Sequence, residues 1–417
     1  MITDGNKLRM RIDDSGRLEI VDPDLSALPL LRELDPSYEI HTAPLPGFSR
    51  PRLLECLDTG LGITNKDIMS MDDDGLWNAH EAGMTVLQDK DAPSSWRVGF
   101  CSLLDVKVEL ARRILKQCRL CGRRCDVDRT AGEVGACGLG VDGIIAKYSV
   151  HIAEEAPINP SLLVSLAGCG LRCKYCQQGL LQDASLVDGV ALSAPVWQEL
   201  PATEARSLAF IGGNPDESTY AILNFLRSVP EDWSLPIVWN CHAFSTPATL
   251  ALLDGIVDCY VPDFRYGSAE CGKRLSGIED YPQVAEECIR LMLKQCVPVI
   301  CRLLVLPGHA ECCQVPILNR LAALNGPNLH VSIRDQYCPD WRISSEDGVL
   351  AGRPTSEEVL RLHALACEMG LETIVSNRTA RESLLVENAT GETLSSDQRR
   401  SPSELESYKI EGRYNEA

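Results

Sequence analysis

A chain of 417 residues is long enough for one large α/β domain with an accessory region, or for two ordinary domains. Its formal charge of −19 argues against a nucleic-acid partner, because such binding draws on neutralised phosphates. No stretch approaches the ~20 consecutive apolar residues of a membrane span, and the first residues lack a basic start followed by an apolar run. A cytoplasmic protein with no membrane and no nucleic acid among its partners is expected.

Residues 1–110 are rich in Asp, Pro and Gly turns and read as an N-terminal accessory region with short helices at 51–58 and 75–88. Ser102–Gln117 places Leu103, Leu104, Val106, Leu110, Ile114 and Leu115 at helical spacing. It leads into a cysteine-rich segment, 111–150, whose basic run (Arg112, Arg113, Lys116, Arg119, Arg123, Arg124) reads as a solvated face or as a surface for an electron-donor protein. From 151 to 377 strands are expected at Leu162–Ala167, Leu208–Gly212, Ile237–Asn240, Val257–Phe264, Val299–Leu306, His330–Arg334 and Glu372–Ser376. Helices are expected between them near 217–228, 246–254, 282–295, 314–324 and 355–369. This alternation implies an α/β fold with a parallel sheet, which right-handed crossovers curl into a full or partial (β/α) barrel. A flat doubly wound sheet is the alternative. Residues 378–417 are polar and read as a tail.

The 19 cysteines are the outlier. In a reducing compartment, clustered cysteines read as metal ligands or redox groups. Cys56, Cys101, Cys259, Cys288, Cys296, Cys301 and Cys367 stand singly in apolar stretches, as small hydrophobes do. The vicinal Cys312-Cys313 is read as inert. Cys118, Cys121, Cys125 and Cys137, with glycines between them for turns, offer four thiolates to one metal. Iron–sulfur, iron and zinc all suit such a set.

Cys169, Cys173 and Cys176 form a C-x3-C-x2-C loop directly after the first barrel strand. Iron–sulfur cubes normally take four thiolates, so three leave one iron open for reaction. Gly212–Pro215, Asn240–His242, Asp263–Arg265, Pro307–His309 and Gln336–Cys338 also follow expected strands, where parallel barrels carry their reacting groups. Asn240 is a candidate hydrogen-bond donor to a bound cofactor, and His242 and His309 are candidates for the substrate's surroundings.

The cysteine triplet followed by Gly212-Gly213-Asn214-Pro215 resembles the radical S-adenosylmethionine superfamily. Further residues are similar to the branch of the pyruvate formate-lyase-activating enzyme and its uncharacterised relatives: Cys118, Cys121 and Cys125 upstream, the pair Glu154-Glu155, Asp263-Phe264-Arg265, and the Arg302 strand ending in Pro307-Gly308. The resemblance covers roughly residues 112–375. Arg265 stands where the branch has lysine, and an alanine separates Glu155 from Pro157, so the two glutamates are either functional or a solvated strand end.

The resemblance implies a partial barrel in which Cys169, Cys173 and Cys176 hold a 4Fe–4S cluster. S-adenosylmethionine would be held by Gly212, Gly213, Asn214, Asn240, Asp263, Arg265 and Arg302. It implies reductive cleavage of that cofactor to a 5′-deoxyadenosyl radical, which abstracts hydrogen from a glycine of a partner enzyme or, alternatively, from a small molecule or a peptide side chain. A flavodoxin or ferredoxin would be the electron donor. A non-catalytic iron–sulfur electron carrier is the rival, although such a carrier has no use for an open iron.

Overall fold

Parallel strands covered on both faces have no solvent side, so their sequences run apolar without alternation. SLLVSL, SLAFIG, IVWNC, CYVP and VICRLL are such runs, whereas LHVSIR alternates in sequence yet is buried at every position; each is a strand in the computed structural model. It describes residues 9–12, 18–21, 23–34, 38–89, 100–339 and 342–374.

The chain starts with a hairpin, β1 (Arg9–Ile12) and β2 (Leu18–Val21). The helices α1 (Leu28–Leu34), α2 (Arg52–Asp58), α3 (Asn65–Ser70), α4 (Asp73–Gln88) and α5 (Leu103–Ile114) follow. β3 (Ile144–His151) is antiparallel to β4 (Ser161–Leu166) and to the two-residue β5 (Val190–Ala191). Then come β6 (Ser207–Gly212), α6 (Thr219–Leu226), β7 (Ile237–Cys241), α7 (Pro247–Leu253), β8 (Cys259–Pro262), α8 (Ala269–Ser276) and α9 (Tyr281–Lys294). The last elements are β9 (Val299–Leu304), α10 (Val315–Ala323), β10 (Leu329–Arg334) and α11 (Ser356–Glu368).

The sheet order is β10-β9-β8-β7-β6-β4-β3-β5, parallel from β4 to β10. Along the parallel strands spatial order equals chain order. A doubly wound sheet reverses direction at a switch point, so this is the partial barrel and not the flat alternative. β4 and β10 do not pair with each other among the described residues, which leaves the barrel open.

Beyond the hairpin, α1 and the short β5, three further elements were not expected. β3 runs across residue 150, so the cysteine-rich segment and the barrel share a strand. α3 carries the capping box Thr64/Asp67 but buries only Ile68 among its apolar side chains, too little for a periodic signal. α8 is capped by Ser268 and carries Gly272 inside an unbroken helix. The expected strand at 372–376 reduces to a bridge between Val331 and Thr373, its last two residues lying outside the described ones, as does the tail 378–417. Among the described residues no helix is long and apolar enough to cross a membrane.

Lys107 fastens the accessory helices to the barrel. It is wholly buried, and its ammonium donates to the Asp254 carbonyl at 2.8 Å and the Ala251 carbonyl at 3.3 Å, at the carboxyl end of α7. His80 of α4 meets it at 2.8 Å; burial, helped by Lys107, holds that imidazole down to about 3, so it accepts as a neutral ring. Arg52 of α2 adds bonds to Asp254 at 2.9 Å and to the Val257 carbonyl at 3.1 Å. Lys107→Met is expected to leave these acceptors unpaired and destabilise the metal-free protein by roughly 1–3 kcal/mol. A urea midpoint unchanged from the unsubstituted protein would contradict that role.

Candidate functional site

One cavity of about 150 Å³ lies at the carboxyl ends of the parallel strands. Cys169, Cys173, Cys176, Gly212, Gly213, Asn214, Asn240, Asp263, Arg265 and Arg302 all line it. Ten of the sequence-expected residues, scattered over more than 130 positions, are thus gathered by the topology alone.

The cysteine loop is held in shape by its own backbone. Gly168 and Cys169 donate to the carbonyls of Leu181 (2.7 Å) and Gln182 (3.0 Å), and Lys174 donates to Leu275 of α8 (2.8 Å). Side chains finish the loop: Gln182 donates to the Cys173 carbonyl at 2.9 Å and Arg342 to the Cys176 carbonyl at 2.5 Å. Tyr175 is buried between Tyr266 and Tyr337, edge-on to each with ring centres 6.1 Å apart. These rings wall off one side of the loop from water.

The turn after β6 explains its two glycines. Gly212 has φ +110°, and a Cβ there would strike the backbone of Leu166. A Cβ on Gly213 would collide with the Gly168 carbonyl oxygen. The turn therefore touches the cysteine loop backbone to backbone. Asn214 is spent inside the protein: its amide donates to Glu217 at 2.5 Å, and its oxygen accepts from the His242 N–H at 3.2 Å. It lines the cavity while fixing its walls.

Free donor capacity lies elsewhere. Asn240, at the end of β7, is buried, and its Nδ2 has no partner among the described residues. Arg265 donates to Asp263 at 2.7 Å through one terminal nitrogen, while its Nε is buried and unpartnered. Arg302 is different. Its guanidinium bonds Glu155 at 2.9 and 2.5 Å and also bonds Glu154; Arg334 donates to Glu155 at 3.2 Å, and the Ser332 hydroxyl donates to Glu155 at 2.7 Å. Glu154 and Glu155 are buried at 3% and 0% exposure, so the solvated strand end is ruled out. Burial opposes their charge, but Arg302 and its neighbours hold both carboxyls below the usual range.

One residue of the site carried no sequence signal. Glu217, wholly buried, accepts from the Gly170 N–H at 2.5 Å and lies 3.7 Å from His242. Neither ring nitrogen of His242 has a hydrogen-bond partner among the described residues; burial alone would lower its pKa, but the neighbouring Cys169 and Glu217 raise it well above the ordinary value. His309 does not line the cavity: it bonds the Pro307 carbonyl at 2.9 Å and Arg274 at 2.8 Å.

Cys118, Cys121, Cys125 and Cys137 line a second, smaller cavity with Arg123, Arg129 and Glu217. Its wall is Gly170 of the first loop, where a Cβ would stand 2.9 Å from the Cys121 sulfur. Arg123 donates to the Gly170 carbonyl at 2.6 Å. Burial pushes the Cys137 thiol up to about 12 and raises Cys121 well above the ordinary thiol value, so a metal binding there displaces protons.

The chain is 30% identical over 281 residues to the uncharacterized protein MJ0674 of Methanocaldococcus jannaschii, across 66% of this chain and 81% of that one. It belongs to the MJ0674 family. No protein-family model matches. Among solved structures, SuiB of Streptococcus suis bound to S-adenosylmethionine is 13% identical with a TM-score of 0.34, over 50% of this chain and 48% of that one. This chain therefore spans about half the length of SuiB. QueE of Escherichia coli is 11% identical with a TM-score of 0.33, over 56% and 93% of the two chains. Methylornithine synthase PylB is 12% identical with a TM-score of 0.35, over 75% and 84%.

For this member of the MJ0674 family, Gly213→Ala is expected to force the cysteine loop away from the turn. Far-ultraviolet circular dichroism should hold while the thermal midpoint and the iron retained after anaerobic reconstitution both fall. Iron content and midpoint equal to those of the unsubstituted protein would show that the contact does not shape the loop.

Proposed function

We propose that this chain is a radical S-adenosylmethionine enzyme. The observation that carries the proposal is the single cavity that joins a three-cysteine loop to unpartnered buried donors at neighbouring strand ends. Three thiols from one loop suit a cube with one iron left open. Asn240 Nδ2 and Arg265 Nε are donors awaiting acceptors, as the carboxylate and nucleoside of S-adenosylmethionine provide. When bound, a 4Fe–4S cluster supplies the electron that splits that cofactor and generates a 5′-deoxyadenosyl radical.

The chain's residues then have separate tasks. Cys169, Cys173 and Cys176 hold the cluster. Gly212 and Gly213 offer backbone groups where no side chain fits. Arg265, oriented by Asp263, grips a carboxylate in the place of the branch's lysine. Arg302, already neutralised by Glu154 and Glu155, forms the floor and positions what lies above it. Tyr175, Tyr266 and Tyr337 keep water from the loop.

The proposed reaction is hydrogen abstraction from an unactivated C–H bond, with a glycine of a partner enzyme as the first target. The proposed electron donor is a flavodoxin or ferredoxin, docking at the groove of Arg113, Lys116, Arg119 and Arg124. Cys118, Cys121, Cys125 and Cys137 are proposed to hold a second metal; the Cys121 sulfur lies against Gly170 of the first loop, so an iron–sulfur cluster held there would be able to relay electrons, whereas zinc would only fasten the segment.

Anaerobic reconstitution should give a cluster whose EPR spectrum changes on adding S-adenosylmethionine, and the reduced protein should release 5′-deoxyadenosine. With a true substrate, deuterium at the target carbon should appear in that product. Replacing Cys169, Cys173 and Cys176 with Ala should abolish cleavage yet leave one metal, iron or zinc, at the second set. A fully formed cluster blind to the cofactor would refute the enzyme.

Arg265→Ala should keep its iron but bind S-adenosylmethionine roughly ten- to a hundredfold more weakly, the worth of one charge-assisted hydrogen bond at about 1.5–3 kcal/mol. Equilibrium dialysis showing equal affinity would remove Arg265 from the site.

A further inference from the structure

Three cysteines outside both sets meet behind the cysteine loop. Cys271 lies in the first turn of α8. Cys312 and Cys313 lie on a π-helical turn, Ala310–Gln314, that leads into α10. In that turn the N–H groups of Cys313 and Gln314 both reach the His309 carbonyl, at 2.9 and 3.4 Å. Such wide turns are rare and concentrate at functional sites. A wider turn also rotates successive side chains through a smaller angle, which brings two vicinal thiols to one side.

The three sulfurs lie within 4.8 Å of one another, with Cys271 and Cys312 at 3.6 Å. Among the described residues no other group of His, Cys, Asp or Glu is drawn so tight, neither of the cysteine sets above included. A four-coordinate zinc with Zn–S bonds of about 2.3 Å keeps its sulfurs about 3.8 Å apart, so the spacing fits one ion. A donor set made only of thiols selects soft metals over magnesium or calcium.

Charge and access fit as well. Three thiolates around a divalent ion leave one net negative charge, and the Arg274 guanidinium stands against Cys271. His309 holds that arginine: its Nδ1 donates to the Pro307 carbonyl, so its Nε2 accepts from Arg274 at 2.8 Å. Cys271 and Cys313 are buried, whereas Cys312 is exposed. We propose that Cys271, Cys312 and Cys313 bind one zinc ion whose fourth position faces solvent beside Cys312. The vicinal pair, read as inert from its sequence, is then two thirds of a ligand set.

The ion positions the wall of the main site. α8, tied by Cys271, supplies the Leu275 carbonyl to Lys174 and the Ser276 hydroxyl to Tyr266, 2.6 Å away. Tyr266 in turn packs on Tyr175. The zinc thus braces the Cys169–Cys176 loop from behind without touching it.

The test uses the full chain, prepared without air and stripped with a chelator. Elemental analysis after zinc loading should find about one equivalent fewer in the Cys271→Ser/Cys312→Ser variant than in the unsubstituted chain. Peptide mass spectrometry of the unsubstituted chain supplies a second reading that does not depend on the folding of the variant's α8. Zinc should slow iodoacetamide labelling of Cys271, Cys312 and Cys313, and chelator should restore it. Equal zinc content together with zinc-independent labelling overturns the proposal. So does a Cys271–Cys312 disulfide in the air-free protein, which would make the group a redox pair.

Discussion

A carboxylate taken wholly out of water persists only where donors and cations replace its hydration. Glu217 meets that condition with groups from three loops: the Gly170 N–H after β4, the Asn214 amide after β6, and the His242 ring after β7. Burial pushes its pKa up, yet these partners, His242 foremost, hold it below the usual range. One charge therefore sets the spacing of three strand ends. It also faces the second cavity, where it adds to the burial that keeps Cys121 and Cys137 protonated. The two cysteine sets are coupled through a single side chain.

Two arginines at strand ends illustrate how burial divides labour. Arg302 is saturated by Glu154 and Glu155, so its charge is cancelled before any ligand arrives. Arg265 has one acidic partner and a bare Nε. Similar side chains on adjacent strands thus become a structural floor and a free donor, according to how many carboxylates the neighbouring loops supply.

Much of this was legible in the sequence. Unbroken apolar runs marked the parallel strands, and the cysteine spacing and glycine pair marked the loops that meet at the mouth. Glu217 was not legible, because its importance comes from three backbone segments brought together only by the barrel. Asn214 was legible as a site residue but not in its role, since its amide is spent on Glu217 and on the His242 N–H. β3 escaped notice because its four central residues, 146–149, are only partly buried and give no clear period, within a segment dominated by cysteines and turns. Cys271 drew no reading from the sequence, because only the fold of α8 sets it against a turn some forty residues on.

The strand order has a consequence for synthesis. From β4 onward each new strand finds its neighbour among residues made just before it, so the sheet can grow as the chain emerges. Glu155 cannot wait in that way: its partners Arg302 and Arg334 follow 147 and 179 residues later. Until β9 and β10 arrive, the acidic pair lacks the arginines that offset its burial, so those carboxylates favour solvent. Completion of the last strands is what makes the first one stable in its place.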